Sequence, residues 1–590
     1  MILSNKNFKS YIFLIPYLVY FSILLIYFVY YESYGFFYQE KSSLFIFSFD
    51  FLRENLKQPG GFVVWLAKFF STFYYYPVAG AIILSAFLFL VVILAATILS
   101  SLKGEKTVFI PLIIGVSLFY LNTDYHFLLI NTLGILVQMT LCYLMIRYRS
   151  FLRGWLPVIM TPLSYYLEGG FTLLFLLFIT FYFIFDKEEY TWIRIIAIWC
   201  ISLLTFYISK EFLFFQQVKS LIIFPFSDKL EGSQQILYIS VAGIISILPV
   251  LALTKISISK KYRISEFTIS LFSSLIVAVL IIIIGLKRFD LKAKQYFFVE
   301  KLFYEEKYEE LIAFNIQKPP SNLLTVFLNN IALCETDNLD DKLFRSPQDA
   351  EGRTLFLKWE MVEEILKQGG YFYYTIGMVN EAHRWAFENM VMKGLSPEGL
   401  KMLIKTDLIN GNYEVASAYI SILKRTFFYR NDARKYEKLL SDKALNADKE
   451  LGRKRQTKVE NDFFTITDDP NINLDMILTS DSLNRKAFEY KIAYMLIKKN
   501  FKGIADALPE FEKLGFDRLP VHIEEAALAL AVTNKGNLPY TGHLKISIST
   551  ERRWNQYLGV LRHYRNDVRS AEPALRKEFG DTYWYYVFFR

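Results

Sequence analysis

Charge density changes abruptly along this chain near residue 290. Residues 1–290 hold 37 charged side chains (22 basic, 15 acidic), and residues 291–590 hold 86 (44 basic, 42 acidic). These are about 13% and about 29% of the two parts, where a soluble domain carries about 25%. The first part is too poor in charge for an ordinary soluble domain, and the second is not. A wholly soluble enzyme, a secreted disulfide scaffold and a disordered chain are thereby excluded. A nucleic-acid binder of the usual kind is excluded too. Of the net charge of +9, +7 sits in the apolar part, and the remainder is nearly neutral with no basic stripe. The three cysteines (Cys142, Cys200, Cys334) and five histidines (His126, His383, His522, His543, His563) show no metal-type spacing.

About 20 mainly apolar residues are needed to cross a hydrocarbon core of ~30 Å. Nine stretches are candidates: 11–31, 78–102, 107–121, 127–148, 155–167, 171–185, 192–209, 235–254 and 267–286. The third, fifth and sixth are short, as tilted partners or half-spans would be. Lys6 and Lys9 precede the first stretch and no small-residue cleavage site follows it, so it reads as an uncleaved anchor. The lysine and arginine bias of the loops puts the N-terminus inside. Lys6, Lys9, Lys103, Lys106, Arg147, Arg149, Arg153, Lys187, Arg194, Lys255, Lys260, Lys261 and Arg263 then fall inside, and the turns at 122–126 and 168–170 carry no cation. An odd span count places residues 291–590 outside. The first outside loop, 32–77, breaks at Pro59-Gly60-Gly61. The aromatic stretch 62–76 that follows reads as a helix lying in the outer interface.

Residues 291–590 read as helical throughout, because apolar residues recur at three- and four-residue spacing. A helix, a tight turn and an aromatic opening the next helix recur at 302–311, 408–416 and 496–504. Asn380-Glu381-Ala382 precedes Glu414-Val415-Ala416 by 34 residues. These turns and that period resemble a tetratricopeptide-like array, which would stack helix pairs into a partner-binding surface. An irregular helical domain supporting the membrane part is the alternative. The charged stretch 446–460 reads as a loop or frayed helix. The aromatic end, 583–589, is too short to span and reads as packed back into the domain or lying on the membrane interface.

No Walker motif, nucleophile elbow, dinucleotide-binding glycine pattern or HExxH occurs. The informative groups are acids placed at the outer ends of spans. Glu32 closes the first stretch, Glu40 follows it, Asp124 lies between the third and fourth, and Glu168 between the fifth and sixth. A carboxylate there can act as a general base on a hydroxyl or help hold a divalent metal and a phosphate headgroup. Arg53 can grip a lipid phosphate through its planar fork, and His126 can share a site with Asp124. Ordinary readings compete: solvated turn residues for Asp124 and Glu168, a headgroup-zone cap for Glu32, and a local ion pair with Asp50 or Glu54 for Arg53.

The layout resembles the GT-C class of membrane glycosyltransferases, with a long first outside loop, acids in the outside loops and an outside C-terminal domain. The resemblance implies a sugar donor carried on polyprenyl phosphate. Glu32 or Glu40 would stand at the first acid position and Asp124 at the second, with Glu168 a further candidate. No Asp-X-Asp pair stands at either place. Pro59-Gly60-Gly61, Phe69-Phe70 through Tyr74-Tyr75-Tyr76-Pro77, and Asp581-Thr582-Tyr583-Trp584-Tyr585-Tyr586 resemble an uncharacterised family of polytopic proteins from Bacteroides-like bacteria. That resemblance spans the chain and implies a bacterial inner-membrane protein with a cytoplasmic N-terminus and a periplasmic C-terminal domain.

The expectation is thus an all-α chain, with a transmembrane bundle of about nine spans (1–290) followed by a soluble helical-repeat domain (291–590). Its function is lipid-linked sugar transfer or, alternatively, a membrane-anchored scaffold holding a periplasmic protein on its repeats. A transporter would want inverted repeats and deep polar residues. Gln138 is the main deep polar residue, and no internal symmetry is evident. The partners expected are the lipid bilayer, a polyprenyl-phosphate lipid and a periplasmic protein, with no nucleic acid.

Overall fold

The computed structural model describes residues 12–103, 108–148, 154–186, 190–214, 217–226, 232–253, 266–358, 363–459, 470–533, 539, 541 and 543–590. Every regular element among them is a helix. The chain divides into two compact units, Met1–Leu291 with Arg425–Phe428, and Lys292–Lys424 with Tyr429–Arg590. Most of the loop cations that set the expected orientation (Lys6, Lys9, Lys106, Arg149, Arg153, Lys187, Lys255, Lys260, Lys261 and Arg263) lie outside the described residues.

Each of the nine apolar stretches in the first unit carries a helix, but nine spans is a count to correct. Among the described residues, five runs are long and apolar enough to cross a membrane: Pro77–Leu102, Leu129–Arg147, Leu156–Asp186, Thr191–Phe214 and Phe267–Arg288. A sixth exists only if Ile15–Tyr30 and Ser33–Ser42, bent by 71°, count as one. Phe109–Asn122 has 14 residues and Gly232–Ser246 has 15. At 1.5 Å per residue Phe109–Asn122 reaches roughly 21 Å, short of a ~30 Å core, whereas Gly232–Ser246 runs on through Ile247 into Leu248–Leu253.

The chain also reverses inside 156–186. In a continuous helix Ser164 and Thr172 would lie about 12 Å apart, yet their hydroxyls are 3.1 Å apart. Gly169, at φ +60°, makes the turn between Leu156–Glu168 and Thr172–Asp186. This conformation is open to glycine and costly for other residues.

The Pro77–Lys103 helix is the centre of the first unit. Its fully buried Leu88, Val91, Val92, Ala95 and Ile98 follow helical spacing and face Ile15–Tyr30, Phe109–Asn122 and Leu129–Arg147. Gly115 permits one close approach: a Cβ there would sit 2.5 Å from Val92, and the Tyr20 hydroxyl donates to the Gly115 carbonyl at 2.8 Å. The first loop folds into three helices, Ser33–Ser42, Phe49–Asn55 and Gly61–Thr72. The last turns Val63, Ala67 and Ser71 inward against Leu129–Arg147 and Leu156–Glu168. Its aromatic continuation meets Arg425–Phe428, where the Tyr75 and Phe428 rings stack at 4.6 Å.

In the second unit consecutive helices pack as hairpins, Glu363–Ile376 on Val379–Lys393, that helix on Pro397–Asn410, and that on Tyr413–Lys424. The turn that recurs in the sequence has one physical cause. Glu306, Gly411 and Lys499 are left-handed, and the next residue's N–H (Lys307, Asn412, Asn500) returns to Leu302, Asp407 and Met495. This is the Schellman closure of a helix C-terminus. It also closes the helices at Asp337 and Arg565. It therefore marks helix ends in general rather than one repeat type.

The stretch 446–459 is not simply a solvated loop. It contains the helix Leu451–Gln456, whose Lys454 is buried and donates to Glu335 at 2.7 Å and to the Tyr374 and Thr375 carbonyls. The aromatic end forms the helix Tyr583–Phe589 with Tyr583, Trp584, Tyr585 and Tyr586 buried. The Trp584 indole N–H donates to the Glu525 carbonyl at 2.7 Å.

Candidate functional site

Two acids from separate turns of the first unit share one polar cluster. Glu32 is the residue at the bend between Ile15–Tyr30 and Ser33–Ser42. Asp124 lies in the turn joining Phe109–Asn122 to Leu129–Arg147. Gln39 ties the two turns together, its amide donating to the Phe127 carbonyl and its oxygen accepting from the Leu129 N–H at 3.1 Å. Glu32 is 3% exposed. The Tyr27 hydroxyl reaches its Oε2 at 3.4 Å, the Tyr34 hydroxyl is hydrogen-bonded to it, and its Oε1 has no hydrogen-bond partner among the described residues. Glu32 is within electrostatic reach of both Asp124 and Arg288.

Asp124 is more fully engaged. Its Oδ1 accepts from the His126 backbone N–H at 2.9 Å and faces the ring Nδ1 at 3.2 Å. Its Oδ2 accepts from Gln234 at 2.5 Å and from the Arg288 guanidinium at 3.1 Å. Burial pushes this carboxyl up, but the bonds from His126 and Gln234 outweigh it and hold it at about 2. Arg288 also donates to the Thr123 hydroxyl at 3.3 Å and lies over the Tyr120 ring. The rings of Tyr38, Tyr125 and His126 edge the cluster, Tyr125 and His126 with centroids 4.1 Å apart. Asp124, Tyr125 and His126 are all partly exposed, so the cluster has an open side.

A model of a family of unknown function, DUF6057, matches residues 8–590. The chain belongs to that family. No curated protein and no solved structure matches the chain. The DUF6057 match covers nearly the whole chain, as the expected whole-chain resemblance requires, and carries no activity with it. Neither a GT-C relationship nor a tetratricopeptide one follows from it.

Two other acids were expected at this site. Glu40 is buried on Ser33–Ser42 beside Lys41, its carboxylate 3.7 Å from the ammonium. Glu168 is neither a solvated turn residue nor part of the cluster. It is 0% exposed, and no hydrogen bond or ion pair joins it to Glu32 or Asp124. It sits where three turns lock together. The Gly60 N–H donates to the Tyr166 carbonyl at 3.0 Å, and the Gly170 N–H to the Phe224 carbonyl at 2.8 Å. A Cβ on Gly169 would meet the Phe224 oxygen at 2.5 Å. Pro59-Gly60-Gly61 thus serves close backbone packing. Arg53 is exposed on Phe49–Asn55, and neighbouring Glu54 pairs with Lys57 at 2.5 Å.

Arg288, Gln234, Tyr27 and Tyr34 are the residues that sequence reasoning missed. Nothing local in the sequence links Arg288 to an acid 164 residues away. Among the described residues no group of three or more His, Cys, Asp or Glu side chains is arranged to hold a metal ion.

Proposed function

We propose that this DUF6057 chain is a polytopic inner-membrane protein of the bacterial envelope that transfers a sugar from a polyprenyl-phosphate carrier, as GT-C enzymes do. The observation that carries the reading is the convergence of Glu32 and Asp124, from separate turns, on one cluster with Arg288. In that reaction the acceptor hydroxyl gives its proton to a carboxylate and its oxygen bonds the anomeric carbon. The bond from that carbon to the phosphate oxygen breaks, and polyprenyl phosphate leaves. Glu32, with one unpartnered oxygen, is the proton acceptor. Asp124 is the positioning acid that fixes Arg288, whose guanidinium faces the leaving phosphate. Tyr125 and His126 supply ring faces to the sugar at the open side. The N-terminus is cytoplasmic and the charged second unit periplasmic in this reading.

A second reading is favoured by one feature of the helical second unit. Phe387 and Val391, one turn apart on Val379–Lys393, are 43% and 62% exposed. In this reading the hairpins, tetratricopeptide-like in their turns, hold a periplasmic protein partner and the apolar helices anchor it.

Glu32→Ala and Asp124→Ala, made separately in the native host and confirmed to insert and accumulate, distinguish the two. Loss of one envelope glycan with build-up of its polyprenyl-linked precursor is the expected result. Unchanged glycans in both variants, with a defect on replacing Phe387 and Val391 by serine, would replace transfer by scaffolding.

A further inference from the structure

The helix Gly61–Thr72 carries a single charged residue, Lys68, which the cluster at Glu32 and Asp124 does not use. Its side chain is half-buried, and its ammonium has no hydrogen bond or ion pair among the described residues. It lies instead over the Phe51 ring, 5.4 Å from the centroid. Burial moves its pKa down from the ordinary value, and no acid pulls it back up. A cation withdrawn from water is normally paired, because contact with an aromatic face replaces only part of its lost hydration.

The surroundings of Lys68 are aromatic. Val63, Ala67 and Ser71 turn inward, so Phe62, Trp65 and Phe69 stand on the opposite face at three- and four-residue spacing, and Lys68 flanks them. Their rings form a near-parallel ladder, Phe62 on Trp65 at 6.3 Å and 14°, and Trp65 on Phe69 at 6.1 Å and 8°. Phe45 meets both Trp65 and Phe69 edge-on at 5.4 Å, and the Phe51 ring beneath Lys68 meets Phe45 at the same distance. The ladder rings are only partly buried, and Phe47 and Phe49 beside them are exposed. The helix leads through Phe73–Tyr75 into Pro77, where a run long and apolar enough to cross a membrane begins. Lys68 and the ladder therefore stand at a membrane face, where aromatic side chains favour the headgroup zone.

An unpaired ammonium beside apolar rings at a membrane face fits one class of ligand, a lipid with an anionic headgroup. A phosphodiester carries one negative charge, which one ammonium balances. A phosphate monoester such as polyprenyl phosphate carries about −1.5 to −2 at neutral pH and would be left partly unpaired. We infer that Lys68 binds the phosphate of an anionic phospholipid of the bilayer, with Phe62, Trp65 and Phe69 against its upper acyl chains. The inference does not rest on the transferase reading, since none of these residues belongs to the Asp124 cluster.

Native mass spectrometry of the purified full chain in detergent tests it. Phosphatidylglycerol, phosphatidylcholine and a polyprenyl phosphate are titrated separately, and the affinity of the first lipid bound is read. Phosphatidylglycerol should bind about fivefold tighter than phosphatidylcholine. Lys68→Gln removes that preference and Lys68→Arg keeps it. Lys57→Gln, at an exposed lysine paired with Glu54, leaves it unchanged. Should Lys68→Gln fail to accumulate, the wild-type chain is photo-cross-linked by a phosphatidylglycerol bearing a diazirine on its acyl chain, and the labelled peptides should include residues 62–69. Equal affinity for the two phospholipids, a preference that survives Lys68→Gln, or labelling confined to other segments would overturn the inference. Tighter binding of the polyprenyl phosphate that is lost in Lys68→Gln would overturn it too, by making the polyprenyl carrier the occupant.

Discussion

The Arg288 guanidinium donates to Asp124 Oδ2 at 3.1 Å across 164 residues of sequence. It closes the last apolar helix of the first unit onto the turn between Phe109–Asn122 and Leu129–Arg147. Both side chains are less than a third exposed, so the pair is less screened than a surface ion pair. A double-mutant cycle with Arg288→Met and Asp124→Asn should show coupling of about 1–2 kcal/mol in unfolding free energy. Additive losses would mean that the two residues act separately.

The same carboxyl sets an acid limit. Its value of about 2 in the folded chain lies below the ordinary 3.8. Its stabilising contribution is therefore complete above pH ~4 and is lost as pH falls toward 2. The difference in unfolding temperature between wild type and Asp124→Asn should shrink over that window. A difference that stays constant down to pH 2 would contradict the assignment.

Glu489, in the second unit, should act with the opposite sign. Burial pushes its carboxyl up to about 7, against the pull of Lys486 and Arg485. Both folded and unfolded forms are protonated below pH ~4.5, so stability is highest there and falls as pH rises to about 7. Glu489→Gln should flatten that slope, which urea unfolding at a series of pH values measures.

Gly169 combines φ +60° with backbone oxygens close to where a Cβ would stand. Gly169→Ala should destabilise the chain by about 2 kcal/mol or more. Gly243→Ala, with open space around the new methyl group, is the control and should be neutral or slightly stabilising. Equal behaviour of the two would mean that the turn at 169 tolerates a side chain.

Arg565 is exposed and left-handed at the end of Ile548–His563. Arg565→Gly should stabilise the chain by about 0.5–1 kcal/mol, because glycine takes that conformation without the steric cost of a Cβ. A loss of stability would show that the side chain contributes more than its backbone geometry costs.

How much could be read in advance depended on the range of the interaction. The helices at 77–103 and 129–147 were legible because apolar residues write their own spacing. The turns at 306, 411 and 499 were legible because a Schellman closure is built from six consecutive residues. The number of spans was not, since Phe109–Asn122 is as apolar as its neighbours and only shorter. Asp124 and Glu32 were singled out as acids at helix ends. Glu168 met the same criterion and has a different environment.

The helical character of the chain, with apolar helices in its first part and ordinary charged ones in its second, is legible from residue order alone. Backbone hydrogen bonding and side-chain polarity are properties of neighbouring residues, so they leave a local record. Folding in three dimensions settles which acid meets Arg288, which is sealed beside Gln138, and that Lys454 in a densely charged stretch is a core residue paired with Glu335. Those outcomes depend on where packing carries groups far apart in sequence, and a single carboxylate reads the same whether it ends exposed, paired or buried alone.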